Sequence, residues 1–508
     1  MNNETGIWEE LPDELYVIGD IHGDFYALKQ ALILTGCVMF EEINTSEIVK
    51  QYGSEIIVLD GCDYYDNKKI TWNKNKKNCI IAFAGDLIDR CRNIINNYCS
   101  VVVYDEDCDY KILKLLLDLN KQATIYNSNV VIVLGNHEIM NLEEKLQYVS
   151  RKGLLNENKR KNDIKKLITD NKYNLYGIVR IGNYVICHGG INPTFIEENK
   201  HYFDNKKEFI EYYNNHVRNF ILDTNYKYNY LITNKNSPFW DRTNGLNNIA
   251  LSELDCKKIF QDNLLNIQSN SLNKQSNSLN KQDQSPIKNL NIKGPINNLN
   301  VRGYVNILNI HGNVTNLNFK GGNTITNMNN LKIIVAHCPQ IINSPKMGIN
   351  NTNCGTFQNR IWRVDIAMSR AFDTYVSEDI MNLLLIELQN KITNNIPFDL
   401  DFILSFNIPF ESTNRNVQLL HITQNSESII LGESSLRYFY KDVFNNNNLL
   451  ITLYMLQDIE SNYKYLYTNV YDPSTLINSI TELLIKLKDI LYKKIFNNKQ
   501  QYYISYKK

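Results

Sequence analysis

Short apolar runs that stop abruptly at polar turns constrain the fold of this chain more than any other feature. The clearest run extends from Val130 to Leu134, is rich in β-branched residues and gives way at once to Gly135-Asn136-His137-Glu138. A run of this length and composition predicts a buried strand. Open α/β sheets bind their ligands at the carboxyl ends of such strands. The sequence therefore predicts an α/β fold in which Asn136 and His137 lie at a binding edge.

The same arrangement recurs along the chain. Other predicted strands end shortly before polar turns that carry, in order, Asp20 and His22, then Asp86, Asp89 and Arg90, then His188, and finally His337. A single histidine of this kind could be an ordinary core or surface residue, but repetition at five strand ends indicates a shared site. Carboxylate, amide and imidazole groups together suit zinc, iron or manganese.

Four motifs stand in the chain in the order GDIHGD, GDLIDR, GNHE and HGG. In these motifs the chain resembles the calcineurin-like metallophosphoesterases, and among them the phosphoprotein phosphatases. The segments GNHEIMNL, SPFWDR, AHCPQ and WRVDIAMSRAF are most similar to the bacterial-type, Shewanella-like branch. The resemblance covers roughly residues 14–435. It implies a two-sheet α/β sandwich flanked by helices, with a dinuclear metal site between the loop edges of the sheets.

The resemblance also implies a set of ligands for two metal ions, expected to be manganese, iron or zinc. The residues carried over by motif are Asp20, His22 and Asp86 for the first ion, and Asp86, Asn136, His188 and His337 for the second. Two ions held by a shared carboxylate lower the pKa of a bridging water, so that hydroxide attacks phosphorus in line. Asn136 is expected to contact the substrate as well.

Catalytic and substrate-binding roles follow from the same resemblance. His137 would protonate the leaving alkoxide as a general acid, and Asp89 would hold and polarise its imidazole. Arg90 would bind phosphate oxygens bidentately. Arg242, in PFWDR, is a further candidate for phosphate binding, although it could equally be a structural arginine stacked on Trp240.

The expected function is the hydrolysis of phosphomonoesters by a protein phosphatase of the serine/threonine type. A phosphorylated small molecule, such as a dinucleoside polyphosphate or another nucleotide, is the alternative substrate, and a non-catalytic scaffold is the alternative outside the enzymes. Cys354 and Arg360 also have the C-x5-R spacing of cysteine-based phosphatases, in which a thiolate attacks phosphorus. That segment lacks the glycine-rich interior of such loops, and chelation of the metal would separate the two mechanisms.

The chain departs from the family pattern at two loops. Cys91 stands where a glycine usually follows the Asp-Arg pair, so the loop that carries Arg90 has less backbone freedom. The usual Gly-His-Thr is Ala336-His337-Cys338. Cys338 is interpreted as a buried, inert thiol rather than one whose oxidation disturbs the second metal. Since no residue type of the ligand set is lost, an active enzyme is expected.

The predicted organisation is a catalytic domain at 1–435 and a mainly helical extension at 436–508. Two insertions interrupt the domain, at 41–78 and at 256–330. In the second, SNSLNKQ occurs twice and a nine-residue pattern follows from Asn289 to Thr324. This pattern could form strands stacked as a meander or small solenoid, but low-complexity expansion is the favoured interpretation. The amphipathic segment 476–496 predicts a helix that docks on the core or binds a protein partner.

Composition limits the partners of the chain. The 54 basic and 54 acidic residues cancel, so no overall field favours nucleic acid or an anionic membrane. No apolar run reaches the length that a transmembrane helix needs. The ten cysteines form no C-x-x-C pair, and the first residues carry no signal pattern. These features predict free thiols in a soluble, cytoplasmic protein without nucleic-acid or membrane partners.

Overall fold

The computed structural model describes most of the predicted catalytic domain and little of the extension. The continuous described ranges are 4–40, 70–92, 105–202, 209–245, 251–260, 331–340, 348–372 and 416–435, together with strands between 278 and 326 and a few short pieces elsewhere.

The described strands follow one another along the chain between short turns and helices. In chain order they are β1 (Ile7–Trp8), β2 (Glu14–Ile18), β3 (Val38–Phe40), β4 (Val49–Tyr52), β5 (Glu55–Val58), β6 (Ile70–Trp72), β7 (Cys79–Phe83), β8 (Ile94–Ile95), β9 (Tyr98–Cys99), β10 (Asn129–Val133), β11 (Leu175–Tyr176), β12 (Ile178–Ile181), β13 (Tyr184–Cys187), β14 (Ser278–Gln282), β15 (Ile287–Lys293), β16 (Ile296–Arg302), β17 (Val305–His311), β18 (Val314–Lys320), β19 (Ile325–Thr326), β20 (Lys332–Val335), β21 (Asn350–Cys354), β22 (Phe357–Arg363), β23 (Asn416–Ile422) and β24 (Glu427–Ser434).

The described helices lie between these strands. They are α1 (Phe25–Thr35), α2 (Asp109–Thr124), α3 (Asn136–Leu142), α4 (Arg151–Leu154), α5 (Glu157–Asp170), α6 (Pro193–Asn199), α7 (Phe209–Leu222), α8 (Tyr230–Thr233) and α9 (Glu253–Phe260).

Two mixed sheets, flanked by helices, form the core and confirm the predicted fold class. The first has the strand order β11-β10-β7-β2-β23-β24, and the second has the order β1-β12-β13-β20-β22-β21. One continuous cluster of buried apolar side chains includes residues of both sheets. All five residues of β7 are buried, as expected for a central strand covered on both faces.

Pairing within the sheets places the carboxyl ends of the predicted site strands side by side. In the first sheet β2, β7 and β10 are parallel neighbours, and in the second sheet β13 is parallel to β20. Loops that follow these strands therefore leave each sheet at one edge. The helix α1 begins in one of them, where the Asp24 side chain accepts hydrogen bonds from the backbone N–H groups of Tyr26 and Ala27 at 3.0 and 3.2 Å. This is N-capping by an aspartate.

The nine-residue repeats form strands. The stacked-strand interpretation of this segment is therefore confirmed, and the favoured interpretation, low-complexity expansion without structure, is wrong. Strands β14, β16 and β18 pair in parallel, and so do β15, β17 and β19. Asn291 pairs with Asn309 and Leu299 pairs with Leu317, an offset of 18 residues or two repeats in each case. Because each strand pairs in parallel with the second strand after it, the arrangement is a two-sided solenoid and not a meander. The first SNSLNKQ copy, at 269–275, lies outside the described residues.

Insertion 41–78 is described only in part. Within it β4 and β5 form an antiparallel hairpin, while β6 pairs with β3 from before the insertion. The predicted strand at 56–59 corresponds to β5. The predicted helix at 476–496 and nearly all of the extension at 436–508 lie outside the described residues, so the helical extension and the domain boundaries remain predictions. None of the helices in the described ranges is both long and apolar enough to cross a membrane.

The prediction of free thiols is wrong for six cysteines. Disulfides join Cys62 to Cys108, Cys91 to Cys99 and Cys256 to Cys354, whereas Cys37, Cys79, Cys187 and Cys338 are free and buried. The error has a physical reason, because two of the bonds join residues separated by 46 and 98 positions in sequence and only the tertiary fold brings such pairs together.

Candidate metal centre

Five loops bring the predicted ligands to one place. They follow β2, β7, β10, β13 and β20 and carry side chains that are at least nine-tenths buried, namely Asp20, His22, Asp86, Asn136, His188 and His337. The ligand atoms of His22, Asp86 and His137 lie within 4.8 Å of one another, and so do those of Asp86, His188 and His337. Asp86 is therefore common to two adjacent groups of metal-binding side chains.

Distances around Asp86 show how the two groups are arranged. Its Oδ2 lies 3.3 Å from Nε2 of His188 and 3.9 Å from Nε2 of His22. Nε2 of His22 is in turn 3.5 Å from Oδ2 of Asp20. Nε2 of His188 also lies 2.9 Å from Oδ1 of Asn136. Asp86 is thus close to His22, which is next to Asp20, and to His188, which is next to Asn136.

Backbone strain is concentrated at the same residues. His22, Asp86, Asp89 and His337 have φ angles of 45°, 51°, 70° and 64°, in the left-handed region that residues with a Cβ seldom occupy. Such strain persists where the surrounding structure enforces it, and it clusters at functional sites. The fold is therefore holding these side chains in place against a local cost.

The charges and unpaired atoms of the cluster fit bound cations. Burial, followed by the negative charge of Asp86, raises the pKa of Asp20 to about 7. Burial would also raise the pKa of Asp86, but the imidazoles of His188 and His137 hold it below its ordinary value. Oδ1 of Asp20 and Nε2 of His337 are buried and make no hydrogen bond to a residue that the structure describes. Two carboxylates and unpaired ligand atoms in so dry a place are suited to divalent cations, which would offset the repulsion.

His137 lies at the edge of the metal ligands with a carboxylate behind it. Its Nδ1 is 2.9 Å from Oδ2 of Asp89, and its Nε2 is 3.7 Å from Oδ2 of Asp86. Asp89 also accepts hydrogen bonds from Nδ2 of Asn141 at 2.9 Å and from Nη2 of Arg160 at 3.1 Å. Burial lowers the pKa of His137 and raises that of Asp89. The ring orientation is therefore fixed through Nδ1, and Nε2 is the nitrogen directed toward the metal ligands.

Sequence reasoning missed several residues that build this arrangement. Asn141 is one turn after His137 on α3, a spacing that places both on one helix face and would have been a usable signal. Arg160, on α5, carries no local signal because it reaches Asp89 only through tertiary packing. Asp365 is 1% exposed, and its buried Oδ2 accepts no hydrogen bond from within the described ranges. Burial, followed by the charge of Asp20, raises the pKa of Asp365, so this additional carboxylate lies near the same cluster.

Glu138, the last residue of GNHE, connects two of the loops. Its carboxylate accepts hydrogen bonds from the backbone N–H groups of Gly135 at 2.7 Å, Asp86 at 3.1 Å and Leu87 at 2.8 Å. The loops approach so closely that a Cβ at position 135 would lie 2.2 Å from Oδ1 of Asp86. Only glycine fits there, which accounts for the Gly-Asn-His-Glu sequence.

The three arginines near the cluster have different surroundings. Arg90 is 3% exposed, and its Nη1 lies 3.7 Å from Asp24 and 3.9 Å from Glu106. Arg242 is exposed, with Nη1 4.0 Å from Sγ of Cys338. Arg92, which sequence reasoning did not single out, contacts His22 and His137 directly.

Arg370 completes a buried group of two arginines and two acids, which yields a stability prediction. Its guanidinium donates to Asp24 at 2.9 Å and to Glu106 at 2.6 Å. Replacing Arg370 with methionine leaves the two carboxylates with Arg90 alone, and removing one partner from a buried ion pair costs about 3–5 kcal/mol. We expect the free energy of unfolding in urea to fall by this amount.

The controls for that measurement are Arg370→Lys and Arg360→Met. Lysine retains the charge, and Arg360 is a half-buried arginine that donates to the backbone carbonyl of Leu331. Both should be less destabilised than Arg370→Met. A loss below about 1 kcal/mol for Arg370→Met, the range of exposed pairs, would contradict the buried network.

The cysteine-based alternative does not fit the structure. Cys354 is bonded to Cys256, so it offers no thiolate for attack on phosphorus. Cys338 is buried, and burial raises its pKa to about 12, in line with an inert thiol.

Comparisons with known proteins agree with the motifs. Residues 14–252 match the family model described as calcineurin-like phosphoesterase. Over 145 residues, 28% of this chain, the sequence is 26% identical to Shewanella-like protein phosphatase 2 of Arabidopsis thaliana, but it covers only 26% of that protein. Over 168 residues, 27% of this chain, it is 27% identical to uncharacterized protein R398 of Acanthamoeba polyphaga mimivirus and covers 65% of it.

One solved structure is distantly similar to the chain. The cold-active protein-tyrosine phosphatase of a psychrophile Shewanella species aligns with 85% of this chain and 82% of its own, at 14% identity and a TM-score of 0.41.

Proposed function

We propose, from the match of residues 14–252 to the calcineurin-like phosphoesterase family model, that the protein is a metal-dependent hydrolase of phosphate monoesters. The observation that supports the proposal most is the position of Asp86, shared by two groups of ligand atoms and adjacent to His137. We further propose that the substrate is a phosphoprotein, with phosphate on serine or threonine.

The residues present fit two divalent metal ions, with manganese, iron and zinc all compatible with the donor atoms. Asp20, His22 and Asp86 would hold one ion, and Asp86, Asn136, His188 and His337 the other. When bound, the ions would supply charge neutralisation for the phosphate and would lower the pKa of water. The shared carboxylate of Asp86 would keep the two cations close despite their repulsion.

The protein groups would complete the reaction at the leaving oxygen. His137 would give the proton on its Nε2 to the alkoxide that departs from phosphorus, which general acids achieve when they lie within hydrogen-bond reach. Asp89, 2.9 Å from Nδ1, would hold the ring in the orientation that directs Nε2 at the substrate. Asn141 and Arg160 would keep Asp89 itself from turning away. The dry surroundings of these groups would exclude competing water.

Hydrolysis of p-nitrophenyl phosphate by metal-stripped protein, with and without manganese, tests the proposal. We expect no turnover after chelation and recovery when manganese is restored, since the attacking water depends on the ions. Zinc and iron in parallel samples would identify the preferred metal, and circular dichroism would check that the stripped protein stays folded.

A substrate panel separates the remaining alternatives. Phosphoserine and phosphothreonine peptides should be turned over faster than phosphotyrosine peptides and a dinucleoside polyphosphate. Faster cleavage of the dinucleoside polyphosphate would replace the phosphoprotein assignment with a nucleotide hydrolase. Folded, manganese-loaded protein that hydrolyses none of these compounds would favour the non-catalytic scaffold.

A further inference from the structure

Arg90, the arginine expected to bind phosphate, is already surrounded by protein groups. Its side chain is 3% exposed and lies against Asp24 and Glu106, which are also bound by Arg370. The positive charges of the two arginines thus offset the negative charges of the two carboxylates in a buried cluster. Burial would raise the pKa of Asp24, but Arg370 and Arg90 hold it below its ordinary value. Drawing Arg90 away toward a substrate would remove half of the positive charge that this group needs.

Arg92 lies on the other side of the same loop, against the metal ligands. Its Nη1 lies 2.9 Å from Nε2 of His137, and its Nη2 contacts both ring nitrogens of His22. Both histidines belong to the group that shares Asp86. The guanidinium therefore lies directly beside the metal ligands and His137, within reach of a phosphate bound there.

The guanidinium of Arg92 forms no salt bridge in the described part of the chain, although the carboxylates of Asp20 and Asp365 are near enough to act on its charge. No described carboxylate lies within ion-pair distance of its guanidinium, and its buried Nε makes no hydrogen bond to a described residue. The side chain is only partly exposed. A guanidinium that faces two imidazoles and forms no salt bridge to a described carboxylate would bind a phosphate by two parallel N–H···O bonds.

The protein holds this guanidinium in position from several directions. It lies 5.7 Å from the ring centroid of Tyr148 and 5.3 Å from that of Phe372, at distances typical of cation–π contacts. The preceding residue, Cys91, is bonded to Cys99, and its backbone N–H donates to the carbonyl of Tyr148 at 3.0 Å. The cysteine that replaces the usual glycine thus anchors the loop at the residue next to Arg92.

We propose that Arg92, and not Arg90, binds the substrate phosphate, an inference that rests on the proposed function. Its fork of donors would hold two phosphate oxygens while Nε2 of His137 faces the leaving oxygen. Arg90 instead maintains the buried charge balance of the loop. The site therefore uses an arginine two residues further along the chain than the motif predicts.

Calorimetric titration of inorganic phosphate into manganese-loaded protein tests this assignment. Arg92→Ala should weaken phosphate binding by about 10- to 100-fold, the range for loss of hydrogen bonds to a charged group. Arg92→Lys should recover only part of the affinity, because lysine has the charge without the planar fork. Circular dichroism should show both variants folded, because each change alters the contacts of one partly exposed side chain. Arg151→Ala, at an exposed arginine on α4, is the matched control and should bind phosphate normally.

Steady-state kinetics with p-nitrophenyl phosphate provide an independent readout. Arg92→Ala should raise KM by a factor similar to the loss of phosphate affinity. Affinity and KM within about twofold of the unchanged protein would overturn the role of Arg92 and leave the proposed function intact, provided that the unchanged protein is active.

Failure of the proposed function is recognised separately. If the unchanged protein hydrolyses no phosphoester, calorimetry alone decides the inference. Phosphate binding that Arg92→Ala abolishes would still support the assignment, whereas absence of phosphate binding to the folded, manganese-loaded protein would overturn it.

Discussion

Replacement of Asp86 with asparagine is expected to remove nearly all hydrolysis of p-nitrophenyl phosphate. Asp86 belongs to both groups of ligand atoms, so the change withdraws one negative charge from two cations at once. The ions are worth several kcal/mol of transition-state stabilisation, which corresponds to a loss of roughly 10³-fold or more in kcat. The metal content per chain, measured by inductively coupled plasma mass spectrometry after dialysis, should fall in the same variant.

Asp118→Asn is the matched control for Asp86→Asn. Asp118 lies on α2, where it forms ion pairs with Lys114 and Lys121 and is not one of the proposed metal ligands. The Asp118→Asn protein should retain its metal content and its activity. An Asp86→Asn protein with normal metal content and a normal rate would show that Asp86 is not the shared ligand.

Replacement of His137 with alanine is expected to lower kcat in a way that depends on the leaving group. General acid catalysis contributes about 10²- to 10⁴-fold, and a leaving group needs it most when its oxygen is strongly basic. The loss should therefore be large for a phosphoserine peptide and smaller for p-nitrophenyl phosphate, whose nitrophenolate departs readily without a proton. KM and metal content should change little, because His137 is proposed as a proton donor and not as a ligand.

Asp89→Asn tests the same assignment through the partner of His137. The asparagine keeps a hydrogen-bonding group near Nδ1 of the ring but removes the charge. The loss of kcat in Asp89→Asn should therefore be larger for the phosphoserine peptide than for p-nitrophenyl phosphate, and for each substrate it should be smaller than in His137→Ala. His201→Ala, at an exposed histidine, should have no effect. An equal loss for both substrates in His137→Ala, together with lost metal, would instead make His137 a ligand.

Sequence reasoning located the candidate site because the relevant signals are local. Each ligand follows an apolar strand within a few residues, and the period and length of those strands are visible in the sequence. Parallel strands end at one edge, so the placement of Asp20 near Asp86 followed without knowledge of the full topology. His188 follows a strand of the second sheet, and its place near them was expected from the resemblance. The two-sheet fold was predictable for the same reason, through the resemblance that these motifs carry.

The positions of the Arg90 and Arg92 side chains depended on contacts with residues far away in the sequence. Arg90 follows the motif, yet its guanidinium lies against Glu106 and Asp24, a position shared with Arg370 from more than 250 residues later in the chain. Arg92 occupies the position near His137 because the Cys91–Cys99 disulfide and two aromatic rings direct it there. No local pattern distinguishes two arginines separated by one cysteine.

The sequence by itself determined the α/β class, the strand ends and the residue types gathered at them, because hydrophobic periodicity and turn chemistry act over a few residues. The tertiary structure alone decided which cysteines are paired, that the nine-residue repeats pair at an offset of 18 residues, and which arginine faces the ligands. These outcomes depend on contacts between segments far apart in the chain. Their free energy comes from satisfying buried charges and backbone groups together, and that requirement exists only once the chain has folded.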